Sequence, residues 1–348
     1  LDALKPSAVT DLDISDIGIG PAGAGRVADY VRDAKASINS LTCDSTGVLA
    51  RYSYGDLVEG TGPRTYTLAV GEAVIDLSQK NLGSADVTLL VAWMQRPNVI
   101  ASIVTINISQ SKIGVEGGQA IVEALKTTTL ESIVIGNDLT LQLKGELESD
   151  SFDASGQSID PGYAMIMAWW LTTPVTASVV TINCLANNFG EDGLSTLLAA
   201  IKGTSVRSLC GLTEGQTAAD FSGQNLHPID CKIMAAEFAF QGFIASVASI
   251  SLSGNMITGS TDIEYSFAKY DLDLSGIIAL GEAAAILKTL TSIDLSNCGI
   301  AAKGIAEVTK FISVNNSLTK VVITGAEISE TDVATLRAAA PNGCEVVW

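Results

Sequence analysis

A chain of 348 residues that is 47% hydrophobic and only 17% charged holds ample apolar material for a continuous core and is not a disordered polyelectrolyte. Aromatic residues make up 5% of it, so that core must be built from Val, Ile, Leu and Ala in many small layers. The formal charge of −18 repels phosphate backbones, which excludes nucleic acid as an expected partner and leaves basic proteins, cations or plain solubility.

One short pattern recurs along the chain: apolar, polar, apolar, a small residue (most often Ser), three variable residues, apolar. In chain order it reads LDISDIGI from Leu12, IDLSQKNL from Ile75, INISQSKI from Ile106, FDASGQSI from Phe152, INCLANNF from Ile182, ADFSGQNL from Ala219, ISLSGNMI from Ile250 and IDLSNCGI from Ile293, with a weaker copy, VVITGAEI, from Val321. The alternation predicts a short strand with one buried face; Ser, Asn or Gly then turns the chain, and the last apolar residue tucks beneath the strand. Helical stretches follow several copies, as at 116–126, 193–202 and 303–314; Leu194, Leu197, Leu198 and Ile201 mark one face of the second. The spacings are 31 (75 to 106), 27 (106 to 133), 30 (152 to 182), 27 (182 to 209), 31 (219 to 250) and 28 (293 to 321) residues.

One strand plus one helix at 27–31 residues resembles the ribonuclease-inhibitor-like class of leucine-rich repeats. The consensus LxxLxLxxNxLxxxG of that class is matched by Val179, Ile182, Cys184, Asn187, Phe189 and Gly193. Ile103, Ile106, Ile108, Ile113 and Gly117 match it too, with Ser111 in place of the Asn, and Cys298 holds that place in another copy. The resemblance spans most of residues 8–348. It implies one α/β solenoid over 1–348, with a curved parallel sheet on the concave side and helices on the convex side. It also implies a non-catalytic surface that binds proteins.

The chain departs from the family where a helix is missing. Non-repeat insertions are expected near 48–70, 137–151, 211–217 and 259–269, the first reading as two strands around a Gly-rich turn. After each break the pattern resumes as apolar-Asp-apolar-Ser, at Asp76, Asp153, Asp220 and Asp273, which suggests a higher-order unit of two helical repeats and one helix-free repeat.

The second position of the pattern is the candidate site. It holds Asp13, Asp76, Asn107, Asp153, Asn183, Asp220, Ser251, Asp273 and Asp294; Asp11 shares the strand face of Asp13, and Asp16 lies nearby. Strands stacked about 4.8 Å apart would make these a ladder, with Ser15, Ser78, Ser109, Ser155, Ser222, Ser253, Ser275 and Ser296 as a second ladder beside it. Such a face suits a basic or polyhydroxylated partner or cations; equally, polar residues solvate the open face of a sheet. The loop that a calcium site needs is not visible around Asp11, Asp13 and Asp16.

Other motifs read as structural. Gly18, Gly20 and Gly23 form GxGxxG, but Gly114/Gly117 and Gly190/Gly193 fill the same slot elsewhere, so these are repeat-loop glycines and not a nucleotide fingerprint. The lone His227 reads as a helix start or loop residue, and neither a metal site nor a catalytic triad is expected. Trp169 and Trp170 sit with Met165, Ile166 and Met167 on one helix that cannot bury them all, so some of Tyr163, Met167 and Trp170 are expected at the surface; Trp93 and Met94 occupy the matching place in another repeat. Six cysteines without a CxxC pair fall mostly on core positions and read as buried free thiols, which favours a reducing intracellular compartment without fixing one.

No stretch reaches the roughly 20 apolar residues of a membrane helix. The opening at Leu1 reads as a processed or trimmed start, and neither end shows a long polar cap. The functional expectation is a binding or scaffolding surface for a protein partner, a basic one among the options, with no cofactor. The alternative is a structural subunit that self-associates through its solenoid ends.

Overall fold

The computed structural model describes residues 9–33, 38–51, 56, 58, 61–240, 242–261, 263, 268–284 and 287–348. It is an α/β protein with mostly parallel strand pairing, in two compact units interleaved along the chain: 1–148, 157–178 and 188–204 in the first, 149–156, 179–187 and 205–348 in the second.

The first unit contains β1 (Asp11–Asp13), α1 (Gly20–Asp33), β2 (Ser40–Asp44), β3 (Thr65–Ala69), β4 (Val74–Asp76), α2 (Ser84–Met94), α3 (Pro97–Ile100), β5 (Thr105–Asn107), α4 (Gly114–Leu125), β6 (Ser132–Ile135), β7 (Leu139–Gln142), α5 (Pro161–Trp170) and α6 (Gly190–Ala200). The second contains β8 (Ser151–Asp153), β9 (Thr181–Asn183), β10 (Ala218–Asp220), α7 (Pro228–Ala239), β11 (Ser249–Ser251), α8 (Ser275–Ala284), β12 (Ser292–Asp294), α9 (Ala302–Val314), β13 (Lys320–Val322), α10 (Glu330–Ala339) and β14 (Glu345–Val347).

Each of the nine pattern copies places its first residue at the centre of a three-residue strand. Equivalent residues then pair in register. Ile75, Ile106 and Ile133 align across β4, β5 and β6, and Phe152 aligns with Ile182 across β8 and β9. Ala219, Ile250, Ile293, Val321 and Val346 align from β10 to β14. The third pattern position (Leu77, Ile108, Ala154, Cys184, Phe221, Leu252, Leu295 and Ile323) is buried as well. The last apolar position, from Leu82 and Ile113 to Leu226, Ile257 and Ile300, is buried too. In six of the nine copies all three of these side chains are buried, and repeated in this way they make up much of the core on the strand side.

One regularity escapes a reading of residue types. Four residues after the strand centre the backbone is left-handed in all nine copies, at Asp16, Gln79, Gln110, Gly156, Ala186, Gly223, Gly254, Asn297 and Gly325. Only four of these are glycine. The tight turn imposes the conformation, and the other five residues carry its steric cost because the flanking backbone is fixed by bonds to the next rung, such as Gln79 N–H to Ser109 O and Gln110 N–H to Gly136 O.

The irregular segments take several forms. β2 pairs in parallel with β1 and antiparallel with β3; β6 pairs in parallel with β5 and antiparallel with β7. Both are antiparallel returns with no helix among the described residues between the paired strands. Of the two strands expected within 48–70, β3 is one, but its partner is β2, upstream of that window; Val48 and Ala50 accept bonds from Gly62 and Val58, and residues 52–55, 57, 59 and 60 lie outside the described set. Ser208 bridges Thr181 in parallel, and the chain then turns at 211–217 without a helix.

The expected restart at Asp273 is a correction. No strand forms there: Asp273 lies two residues before α8, and Ser275 is the first residue of that helix. The described residues between Ile257 and α8 are extra to the repeat, and α8 packs between α7 and α9. This repeat therefore runs 43 residues, from Ile250 to Ile293, and is not helix-free.

Glycines set the closest helix contacts. A Cβ on Gly118 of α4 would lie 2.3 Å from the Gly162 carbonyl oxygen of α5, and one on Gly162 would lie 2.4 Å from the Gly114 oxygen. Gly25, inside α1, has open space around it. Gly118→Ala and Gly162→Ala should each lower stability by about 1–3 kcal/mol despite the better helix propensity of alanine, whereas Gly25→Ala should be neutral or stabilising by up to about 1 kcal/mol. Urea denaturation of the three variants checks this.

Candidate functional site

The second pattern position follows the buried strand centre, so its side chain emerges on the opposite face. Asp11, Asp13, Asp76, Asp153 and Asp220 are exposed there, and Asn107, Asn183 and Asp294 are half-buried.

What these side chains do is local. The Oδ1 atom of Asp13, Asp76, Asn107, Asp153, Asn183, Asp220 and Asp294 accepts the backbone N–H two residues on, at 2.9–3.2 Å. Ser15, Ser155, Ser222 and Ser296 add their hydroxyls to the same oxygen. This is an Asx turn: a carboxylate or amide takes the place of the backbone acceptor that the chain loses on leaving the strand. Asp273 makes the same bond, to Ser275 N–H, at the start of α8 and outside any sheet. The Ser15 backbone N–H and then its hydroxyl hold Asp13 below the usual carboxylate range, the Ser222 hydroxyl and then its N–H do so for Asp220, and the Ser40 and Thr10 hydroxyls for Asp11.

The two ladders are more broken than the spacing suggests. In register, Asp13 faces Thr42, Asp76 faces Asn107 and then Val134, and Asp153 faces Asn183. Asp220 is separated from Asp294 by Ser251, and Val322 and Val347 follow. Carboxylates are thus never direct neighbours in these pairings, which removes the repulsion that a continuous acidic ladder would carry. The serine ladder is not an open row: Ser109 and Ser296 are buried, and Ser275 belongs to a helix.

A second group of acids was not singled out from the sequence. Asp86, Asp230, Glu237 and Asp271 are buried and bind backbone N–H groups that neither helix nor strand satisfies. Asp86 accepts from Thr46 N–H and Oγ1, Gly83 N–H and Tyr66 Oη. Asp230 accepts from Ala186 N–H and from His227 N–H, both at 2.7 Å. Glu237 accepts from Ser208 Oγ, Leu209 N–H, Cys210 N–H and Ile244 N–H, and so clamps the helix-free rung at 208–210. Asp271 accepts from Ala301 and Gly304 N–H at the start of α9. Burial pushes Asp86 and Glu237 up and takes Asp230 to about 6. The sequence signals were an acid three residues after the helix-start residues Gly83 and His227, and a lone Glu inside the apolar run 233–240.

The remaining motifs resolve as follows. Gly20, Gly114 and Gly190 are left-handed residues opening α1, α4 and α6, in keeping with a turn role. His227 is the N-cap residue of α7, before Pro228. The consensus Asn position is a hydrogen-bonding post: Asn187 Nδ2 donates to Ala154, Cys184 and Leu185 carbonyls, Cys298 Sγ donates to Leu252 O, and Ser111 Oγ accepts from Leu82 N–H. Tyr163, Met167 and Trp170 are buried, against expectation; Met165 and Trp169 are the partly exposed members, facing Gln119 and Val122 of α4 across a shallow groove. Trp93 and Met94 are fully buried. All six cysteines are free thiols and five are buried; burial raises Cys43 to about 11. Among the described residues no cluster of three His, Cys, Asp or Glu could hold a metal, and no helix is long and apolar enough to cross a membrane.

A leucine-rich-repeat family model matches residues 287–308, which cover β12 and the first half of α9. No curated protein matches the chain. Among solved structures, a TLR13–ssRNA13 complex is similar at 12% identity and a TM-score of 0.21, over 79% of this chain and 35% of that one. An internalin, InlF, from Listeria monocytogenes is similar at 11% identity and a TM-score of 0.21, over 74% of this chain and 69% of that one. The chain thus spans about a third of the first of these, and likenesses this slight carry no argument about shape or partner.

Two outcomes test the roles of the acids. Asp220→Asn keeps the turn acceptor and should leave the urea midpoint unchanged, whereas Asp220→Ala removes it and should lower that midpoint. Asp230, raised from 3.8 to about 6, binds its proton more tightly when folded, so its contribution to stability is fullest below about pH 4 and declines as pH rises through 6. The thermal midpoint should therefore rise between pH 7 and pH 5, and Asp230→Asn should flatten that rise.

Proposed function

We propose that the chain is a leucine-rich-repeat solenoid of the ribonuclease-inhibitor-like class that serves as a non-catalytic binding or scaffolding surface for a protein partner. The observation that carries this reading is the outward side of the strands within each unit. Its side chains are fixed: in the first unit the exposed Asp13 and Asp76, and in the second the exposed Asp153 and Asp220 and the half-buried Asp294, each have one carboxylate oxygen tied to the backbone two residues on. An ordered acceptor loses little side-chain entropy on binding, which favours recognition by a rigid array of carboxylates and amides. The family matched at 287–308 is one of interaction modules, which supports a binding role over a catalytic one. With a net charge of −18, the partner should present Lys or Arg to this face.

The test strips charge without breaking turns. A variant combining Asp76→Asn, Asp153→Asn, Asp220→Asn and Asp294→Asn keeps every Oδ1 acceptor. Affinity capture from the native source with wild type and variant, at low and high salt, should show basic partners that are lost from the variant and weakened by salt. A partner set unchanged by the four substitutions overturns the acidic-face reading.

A further inference from the structure

A cleft of about 700 Å³ opens in the first unit, where the turns before α4, α5 and α6 meet. Its volume lies within the roughly 300–1,000 Å³ range of small-molecule sites. Its walls are held by a buried network. Tyr163 Oη accepts from Ser111 N–H and donates to Ile108 O, and Asn81 Nδ2 donates to both Val48 O and Gly62 O. Asp160, the N-cap residue of α5, accepts from Tyr163 N–H at 2.9 Å.

What the network leaves over defines a ligand. Asn81 is 7% exposed, and its Oδ1 accepts no hydrogen bond among the described residues. The Asp160 carboxylate retains acceptor sites beyond those used by its own helix. On the donor side, the exposed Lys112 ammonium and Asn188 amide line the same cleft. Lys112 disfavours a cation and Asp160 an anion, so a net charge on the ligand gains nothing. Donors and acceptors stand side by side, and a hydroxyl is the group that answers both.

We propose that this cleft binds a small neutral polyhydroxylated molecule, of monosaccharide or disaccharide size. Ligand-observed NMR titration of the full chain with glucose, N-acetylglucosamine and trehalose tests it, with inorganic phosphate and putrescine as charged comparisons. At least one sugar should bind with millimolar or tighter affinity. Lys112→Ala and Asn188→Ala should each weaken it about tenfold, the loss of one good hydrogen bond, with the thermal midpoint unchanged because both side chains are exposed. Binding of none of the three sugars, binding that neither substitution weakens, or a preference for phosphate or putrescine overturns the proposal.

Discussion

A three-residue strand buries one central side chain and leaves most of its backbone donors and acceptors to whatever lies beside it. A coil so thin has no interior of its own, and the strands described here satisfy their backbone by bonding the next rung in register. Where a helix follows the strand, the chain soon recovers regular bonding. Elsewhere buried N–H groups remain, and ionisable side chains accept them: Glu237 under 208–210, Asp86 under Thr46, and Asp230 at Ala186 in the turn before α6. Removing a partner from a buried donor costs about 1–3 kcal/mol, more when the group lost is charged, so these acids hold the segments they bind more firmly than their number suggests.

Spacing explains why irregular rungs exist at all. Strands add about 4.8 Å per rung and packed helices about 8–10 Å, so one strand per helix forces the two layers to diverge. The β2–β3 and β6–β7 hairpins add strands with no matching helix, while α1 still packs on α2 and α4 on α5. The extra strands locally offset the mismatch. Gly118 and Gly162 let α4 and α5 approach until backbone meets backbone.

The strand centres were legible because Ile75, Ile106, Ile182, Ile250 and Ile293 stand in a fixed alternation with polar neighbours, and a period-two pattern admits one face only. Helices α4, α6 and α9 were legible from the spacing that follows. Asp273 misled because an Asx turn has the same residue signature, apolar-Asp-apolar-Ser, whether a strand or a helix adjoins it. Tyr163 was misjudged from helix geometry: its hydroxyl is carried inward to serve Ser111 and Ile108, a long-range pairing that no local pattern encodes. Glu237 escaped for the same reason, since Ser208, Leu209 and Cys210 lie 27–29 residues away from it.

The acidic composition therefore divides into two populations with opposite responses to protons. The turn carboxylates Asp13 and Asp220 are held low by hydroxyl and backbone donors and lose stabilising bonds only below about pH 4. The core carboxylates Asp86, Asp230 and Glu237 are held high by burial, Asp230 at about 6, so taking up a proton favours the folded state. Much of the surface charge is thus fixed by turn chemistry, since an aspartate there closes the strand whether or not anything binds it. Selection by a partner can act only on what the turn leaves unspecified. Because Asn makes the same Oδ1 bond, as Asn107 and Asn183 do, the preference for Asp at 13, 76, 153, 220 and 294 is the part of the pattern that folding alone does not require.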